Sequence, residues 1–113
     1  MEKFNHYPVE KFYQAVYALA TGPKDVRSRL YDAYLCFHPV QADDLPLELR
    51  KDYEWILKKL TKHEPMVQPW NGEIFKGSVE VSLSRIKNKT GVEIAKRIVA
   101  LYERLKQLGE AEE

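Results

Sequence analysis

The 113-residue chain carries 18 Lys and Arg against 17 Asp and Glu, and 44% of its residues are hydrophobic. This balance is typical of a folded globular protein and excludes a disordered tail. A net charge of +1 also excludes a global field that would steer the chain to nucleic acid or to an anionic membrane. The charge is slightly uneven, because residues 1–56 have a net charge of −2 and residues 57–113 have one of +3.

The number of cysteines and the length of the apolar runs indicate the cellular compartment. The single cysteine, Cys36, excludes an internal disulfide framework and fits a reducing environment. No apolar segment approaches the roughly 20 residues of a membrane span, and the N-terminus lacks the unbroken apolar run of a signal peptide. We therefore expect a cytoplasmic protein without membrane contact.

The first two predicted elements are helices. Residues 8–21 repeat apolar side chains every three or four positions, as an amphipathic helix does, and Gly22 ends the pattern. The second helix covers residues 23–37, because Pro39 disfavours helical backbone just before it. Its segment 28–37 is apolar almost all round, which is typical of a buried helix. We interpret this segment as the one against which the other helices pack.

A third helix is predicted over residues 46–62, with Trp55 on the side opposite part of its apolar face. Residues 63–77 then break the helical rhythm with two prolines and two glycines, so we expect an irregular connector. This connector is unusually apolar, since it holds Met66, Val67, Trp70, Ile74 and Phe75. We expect it to pack back over the core or to meet a partner.

The C-terminal part is predicted to hold two more helices. Residues 78–86 fit either a half-buried strand or one face of a helix, and we choose a helix over 78–88 because the sequence offers no second strand to pair with. The last helix, 90–108, opens on a T-x-x-E capping box at Thr90 and continues as an apolar seam made by Ile94, Ile98, Leu101, Leu105 and Leu108. Residues 109–113 then form a frayed acidic tail.

The sequence thus predicts an all-α fold, a compact bundle of four to five helices. Residues 1–108 form a single domain in this interpretation, and the connector 63–77 joins the third helix to the fourth.

Asp32 is the first candidate for chemistry, because it is the single ionisable residue within the apolar stretch of the second helix. With Tyr34 and Tyr53 it could form a tyrosine-lined ligand pocket or a small enzyme site. The alternative is that Asp32 faces solvent or pairs with an arginine. Cys36 lies near a helix C-terminus, where the helix dipole disfavours a thiolate, so we interpret it as an inert thiol.

Metal and cofactor sites have little support. The histidines His6, His38 and His63 lack the spacing that places two imidazoles on one helix face, so we expect neither a metal nor a cofactor.

A second candidate surface is basic. It comprises Lys58, Lys59, Lys62, Arg85, Lys87, Lys89, Lys96 and Arg97, with Trp70 and Phe75 nearby in sequence. Such a surface could bind phosphates and stack bases, although the same residues could equally form an ordinary solvated face.

Three functions follow from these candidates. The leading hypothesis is a non-enzymatic interaction or adaptor protein, with a homodimer as one form of it, using an interaction surface at Trp70, Phe75 and Trp55. It is motivated by the C-terminal apolar seam, by the apolar connector and by the absence of a nucleophile–base motif. The alternatives are a nucleic-acid-associated regulator using the basic C-terminal half, and a ligand-binding module or enzyme built around Asp32.

Overall fold

The structure is a computed structural model that describes residues 3–111. Within these residues the chain forms five α-helices: α1 (Tyr7–Thr21), α2 (Val26–Phe37), α3 (Arg50–Leu60), α4 (Ser78–Arg85) and α5 (Asn88–Ala111). Two 3-10 turns, Ala42–Asp44 and Leu47–Leu49, connect α2 to α3. Strands β1 (Met66–Val67) and β2 (Ile74–Lys76) form a small antiparallel hairpin between α3 and α4. The predicted all-α class is confirmed.

The long helices α1, α2, α3 and α5 alternate in direction. The start of α1 lies beside the end of α5, where a Cβ at Gly109 would be 3.0 Å from the ring of Phe4. Helix α3 runs antiparallel to α5, as the ion pair between Glu48, just before α3, and Arg104, near the end of α5, indicates. Helix α2 returns along α1, so that Arg29 lies against Gly22. The result is an up-down-up-down bundle.

An aromatic cluster fixes the centre of this bundle. The rings of Phe12 and Phe37 stack with their centroids 4.9 Å apart, and Tyr53 meets both edge-on. All three side chains are buried. The hydroxyl of Tyr53 donates a hydrogen bond of 2.6 Å to the carbonyl oxygen of Val40, so its polar group is satisfied inside the core. Helices α1, α2 and α3 are therefore held together by aromatic packing.

Helix α2 is less buried than the sequence indicates. Its side chains at Leu30, Ala33 and Phe37 are fully enclosed, but Asp32 is exposed and Leu35 is 49% exposed. The expectation of burial all round was wrong, because α1, α4 and α5 cover only part of its circumference. Its apolar composition therefore overstates how many neighbours it has.

Helix α4 confirms the helical interpretation of residues 78–86. The backbone N–H of Gly77 donates to Oε1 of Glu80 (3.4 Å) at its start. Ser82 accepts a hydrogen bond of 2.9 Å from the backbone N–H of His63, and Ser78 donates to the carbonyl of the same residue. These polar contacts join α4 to the segment just after α3, and they explain two of the polar positions that imitate strand alternation, Ser78 and Ser82.

Several predicted helix boundaries were wrong. Helix α2 begins at Val26 and not at residue 23, because Asp25 caps it, and α4 ends at Arg85 and not at residue 88, because Ile86 is extended. Residues 46–49 belong to a 3-10 turn and its cap, so α3 begins only at Arg50. Helix α5 begins at Asn88, which places Thr90 inside its first turn, and it continues through residues 109–111. A frayed tail from residue 109 onward is therefore wrong for 109–111, whereas residues 112 and 113 lie outside the described residues.

Gly109 explains why α5 continues. Helix-ending glycines act through a left-handed backbone, but no positive φ occurs at this glycine. The residue is buried instead, because Phe4 and His6 approach the helix where it has no side chain.

The apolar seam of α5 packs inside the bundle. Among residues 3–111, no helix combines the length and apolar composition needed to cross a bilayer.

Candidate interaction surface at the hairpin end

The connector between α3 and α4 is a β-hairpin and not an irregular loop. Its strands pair Met66 with Lys76 and Val67 with Ile74, with an irregularity in register between the two pairs. The turn at its tip uses Gly72, whose φ of 71° lies in the left-handed region that glycine tolerates best. The Asn–Gly pair at residues 71–72 indicates a turn, although the loop of residues 68–73 is longer than the two-residue hairpin turn that this pair favours, and only Gly72 has a positive φ.

Hydrogen bonds across the tip hold the hairpin closed. The backbone N–H of Gln68 donates to the carbonyl of Glu73 (2.8 Å), and that of Gly72 donates to the carbonyl of Gln68 (2.9 Å). The Asn71 side chain accepts from the Glu73 N–H at 3.0 Å. The backbone of the tip is thus held locally, without support from the helices.

The apolar side chains of the hairpin face solvent. Trp70 is 76% exposed and Ile74 is 64% exposed, and the others are between 42% and 54% exposed, namely Met66, Val67 and Phe75. The expectation that this segment packs over the core was therefore wrong, and the alternative that it meets a partner stays a prediction. Large exposed apolar patches on soluble proteins mark interaction sites. A two-stranded hairpin also has little stability of its own in water.

The predicted basic residues share one end of the bundle with the hairpin. We call this the hairpin end and define it as residues 22–32 and 57–97, which include the start of α2, the end of α3, the hairpin, α4 and the start of α5. It carries twelve Lys and Arg against six Asp and Glu, a net charge of +6. The remaining described residues carry six against eight, a net charge of −2. The molecule is electrically polarised, which its total charge conceals.

All eight basic residues of the candidate nucleic-acid surface are exposed: Lys58, Lys59, Lys62, Arg85, Lys87, Lys89, Lys96 and Arg97. Within residues 3–111, none of them forms an ion pair within 4.0 Å of a carboxylate. Their charges are therefore not compensated by direct pairing and are available to an anionic partner.

Trp55 is placed differently from the other two residues of the predicted interaction surface. It is half-buried and packs against the core. The guanidinium of Arg97 lies 4.4 Å from its ring centroid, and Nζ of Lys59 lies 5.4 Å away. These cation–π contacts occupy the ring, so Trp55 joins α3 to α5 and does not belong with the exposed Trp70 and Phe75.

Asp32 does not share a pocket with Tyr34 and Tyr53. Tyr53 is 1% exposed inside the core, whereas Asp32 lies on the surface. Tyr34 is half-buried and stacks on the imidazole of His38, with centroids 5.5 Å apart. Asp32 instead lines an open cavity of about 560 Å³ with one tyrosine, Tyr31, and with charged side chains of both signs, Lys24, Asp25, Arg27, Lys76 and Glu80.

The ionisable groups near this cavity have structural explanations. The backbone N–H of Ser28 donates to the Asp25 carboxylate, which caps α2, and this hydrogen bond lowers the pKa of the carboxyl group; the side-chain hydrogen bond from Arg27 adds to the shift. Burial raises the pKa of the Cys36 thiol, with Asp32 as a further cause, which disfavours the reactive thiolate. Within residues 3–111, no three His, Cys, Asp or Glu side chains gather as metal ligands.

A second surface was not recognised from the sequence. A groove of about 630 Å³ runs along the outer side of α5, on a different side of α2 from the first cavity. Helix α5 contributes Val92, Ala95, Lys96, Val99, Ala100, Glu103, Arg104 and Gln107, and the opposite wall consists of Leu19, Val26 and Arg29. The sequence signal for this groove is a second row of small and apolar residues on α5, which is weaker than the pattern of the buried seam on the same helix.

Comparison of the chain with models of known protein families, with curated proteins and with solved structures gave no match. The geometry and charge of these surfaces are therefore what indicates a function.

Proposed function

We propose that this protein is a non-enzymatic, helical protein-binding module that works in the cytoplasm, and that the hairpin is its contact surface. The observation that carries the proposal is the exposure of all five large apolar side chains of the hairpin, 42% to 76%. Burying aromatic anchors such as Trp70 and Phe75 supplies much of the affinity of typical protein interfaces. The free thiol of Cys36 fits a reducing compartment.

The charge around the hairpin supports an acidic partner. The hairpin end has a net charge of +6, so a partner with a negative surface is attracted and oriented as it approaches. A homodimer through the hairpin would bring two such ends together, which opposes association. We therefore assign the hairpin to a different protein, one with an apolar cleft surrounded by carboxylates.

The aliphatic residues of the patch support a protein over a nucleic acid. Trp70 and Phe75 could stack on bases, but Val67 and Ile74 have no flat face for stacking. Covering these two side chains requires an apolar surface, which proteins offer and the phosphate backbone does not. The mixture of aromatic and aliphatic side chains therefore fits a protein cleft.

Nucleic acid is the second candidate, because the eight exposed basic side chains have no ion-pair partners within the described residues. Under this alternative, affinity for single-stranded DNA would fall steeply with salt. The protein-binding proposal expects that competing single-stranded DNA does not displace the partner at physiological ionic strength.

Site-specific photo-crosslinking in the cells of origin tests the proposal. The photoreactive residue p-benzoylphenylalanine replaces Ile74, which is 64% exposed on the hairpin, and in the control it replaces Leu47, which is 78% exposed in the connection between α2 and α3. We expect a discrete protein adduct from position 74 alone. The adduct is then identified and the partner is purified.

Binding of the purified partner provides the second measurement. Trp70→Ser should weaken binding by about 30-fold or more, as the loss of a hot-spot side chain does. Equal adducts from positions 74 and 47, or none from either, would contradict the proposal. An adduct that nuclease removes would replace the proposal with the nucleic-acid candidate.

A further inference from the structure

We infer that two copies of this chain associate through the outer groove of α5, antiparallel and about a two-fold axis at Val99 and Ala100. The groove-lining residues of α5 extend from Val92 to Gln107. They span about 23 Å of helix at 1.5 Å per residue. The inference is independent of the hairpin, which lies on a different surface.

The row of groove-lining residues on α5 is self-complementary. When two copies of a helix pair antiparallel about a two-fold axis, the numbers of any two residues that face each other add up to the same total. With the axis between residues 99 and 100, Lys96 faces Glu103 of the second copy, and Glu103 faces Lys96 of the second copy. Both side chains are exposed, and neither forms an ion pair within the described residues.

The residues between these charges allow the helices to approach closely. Val99 and Ala100 lie at the axis, and in the same register Val92 and Ala95 face Gln107 and Arg104 of the second copy. Val92 is 43% exposed, although its side chain is apolar. Small residues at a helix crossing reduce the distance between the axes, so that the longer Lys96 and Glu103 side chains can pair at the edges.

The opposite wall of the groove offers a further contact. Nε of Arg29 is buried, and it has no hydrogen-bond partner within the described residues. Its alkyl stem is held against Gly22, where a Cβ would be only 2.6 Å from Cγ of Arg29. Arg104, the other arginine of the groove, is already paired with Glu48 at 3.2 Å. The Arg29 side chain lines the groove, so its positive charge can attract the carboxylate of Glu103 from the second copy.

The charge distribution of the whole molecule agrees with this direction. An antiparallel arrangement places the hairpin end of one copy, net +6, alongside the opposite end of the other, whose described residues have a net charge of −2. A parallel arrangement would place the two positive ends together. The antiparallel dimer also leaves the two hairpins at its far ends, where each remains free to bind a partner.

A charge exchange tests both the dimer and its register. Sedimentation equilibrium of the purified full chain is measured for Lys96→Glu, for Glu103→Lys and for the double variant. Each single change creates two like-charge pairs and should raise the dimer dissociation constant by about tenfold or more. The double variant restores both pairs with reversed sign and should return to within about threefold of the wild type.

Mixing the two single variants gives the sharpest outcome, since a heterodimer of Lys96→Glu with Glu103→Lys has two favourable pairs and should form at wild-type strength. Lys51→Glu and Glu54→Lys, exposed positions on α3, are the matched controls and should leave the dimer unchanged. A strictly monomeric wild type at about 0.5 mM, a concentration that detects millimolar dissociation constants, would overturn the inference. A dimer insensitive to both single changes would also overturn it.

Discussion

The aromatic cluster of the core and the aromatic residues of the hairpin are chemically alike, but they occupy opposite environments. Phe12, Phe37 and Tyr53 are almost completely buried and contact one another, whereas Trp70 is 76% exposed and Phe75 is 54% exposed. Burying an aromatic side chain stabilises the fold, and leaving it exposed does not. The difference indicates that the core specifies the structure and that the hairpin is available for binding.

The largest expected effect compares two phenylalanines directly. Phe37→Ala removes a side chain that is 0% exposed and stacked on Phe12, and it should lower the free energy of unfolding by about 3–5 kcal/mol. Phe75→Ala in the hairpin should change it by less than about 0.5 kcal/mol. Urea unfolding monitored by circular dichroism measures both. Equal losses would show that the hairpin packs on its own chain.

Tyr53 tests the polar part of the core. Tyr53→Phe leaves the carbonyl of Val40 without its 2.6 Å hydrogen bond, and it should lower the free energy of unfolding by about 1–2 kcal/mol at neutral pH. Tyr34→Phe is the control, because the Tyr34 hydroxyl forms no hydrogen bond within residues 3–111 and the half-buried ring is retained. A larger loss in Tyr34→Phe would contradict this assignment.

The same tyrosine predicts a dependence on alkaline pH. Burial is the main cause that raises the pKa of Tyr53 above its ordinary value, followed by nearby Tyr34 and Asp44. Above about pH 10 the unfolded chain releases this proton while the folded chain retains it, so the contribution of Tyr53 to stability is constant below that pH and falls above it. Tyr53→Phe should lose less stability than the wild type between pH 10 and about 11. Parallel pH profiles would contradict the prediction.

A smaller loss of stability is expected at the crossing of α2 and α5. A Cβ at Gly91 would be 2.9 Å from Cγ1 of Val26, a stiff β-branched side chain. Alanine normally stabilises a helix by about 1 kcal/mol relative to glycine, but crowding here should more than cancel that gain and leave a net loss of about 1 kcal/mol. The double variant Gly91→Ala/Val26→Ala should recover the helix gain relative to Val26→Ala alone. Thermal unfolding measures the set.

The smallest effect on global stability is expected in the hairpin turn. Gly72→Ala forces a side chain onto a φ of 71°, which costs about 1–2 kcal/mol locally. Because no side chain of the tip supports the bundle, unfolding of the helices should not change. The exposed hydrogen bond from the Gln68 N–H to the Glu73 carbonyl should open more often, and amide hydrogen exchange at Gln68 should be about tenfold faster. Unchanged exchange would contradict the local effect.

The sequence predicted the bundle because its helices carry strong periodic signals. The seam of α5 is buried as its spacing indicates, and α4 is helical although its residues alternate like a strand. Boundaries were less predictable, since Gly109 resembles a helix stop but instead accommodates Phe4, a contact between the two ends of the chain. Such long-range contacts leave no local signal in a sequence.

The candidate sites were harder to predict than the fold. Tyr34, Tyr53 and Asp32 suggest a pocket by residue type, but helix packing sends Tyr53 inward and Asp32 outward. The Asn71–Gly72 pair indicates a turn, but the flanking strands are only two and three residues long, too short to show an alternating pattern. The exposure of the hairpin depends on where α4 attaches to α3, which the sequence does not reveal.

The most direct test of the central claim measures stability and binding in one variant, Trp70→Ser/Phe75→Ser. The claim predicts that its urea midpoint matches that of the wild type, whereas its affinity for the protein crosslinked at position 74 falls by about 30-fold or more. A loss of stability above about 1 kcal/mol would show that the hairpin belongs to the fold. Unchanged affinity with unchanged stability would show that the hairpin is not the contact surface.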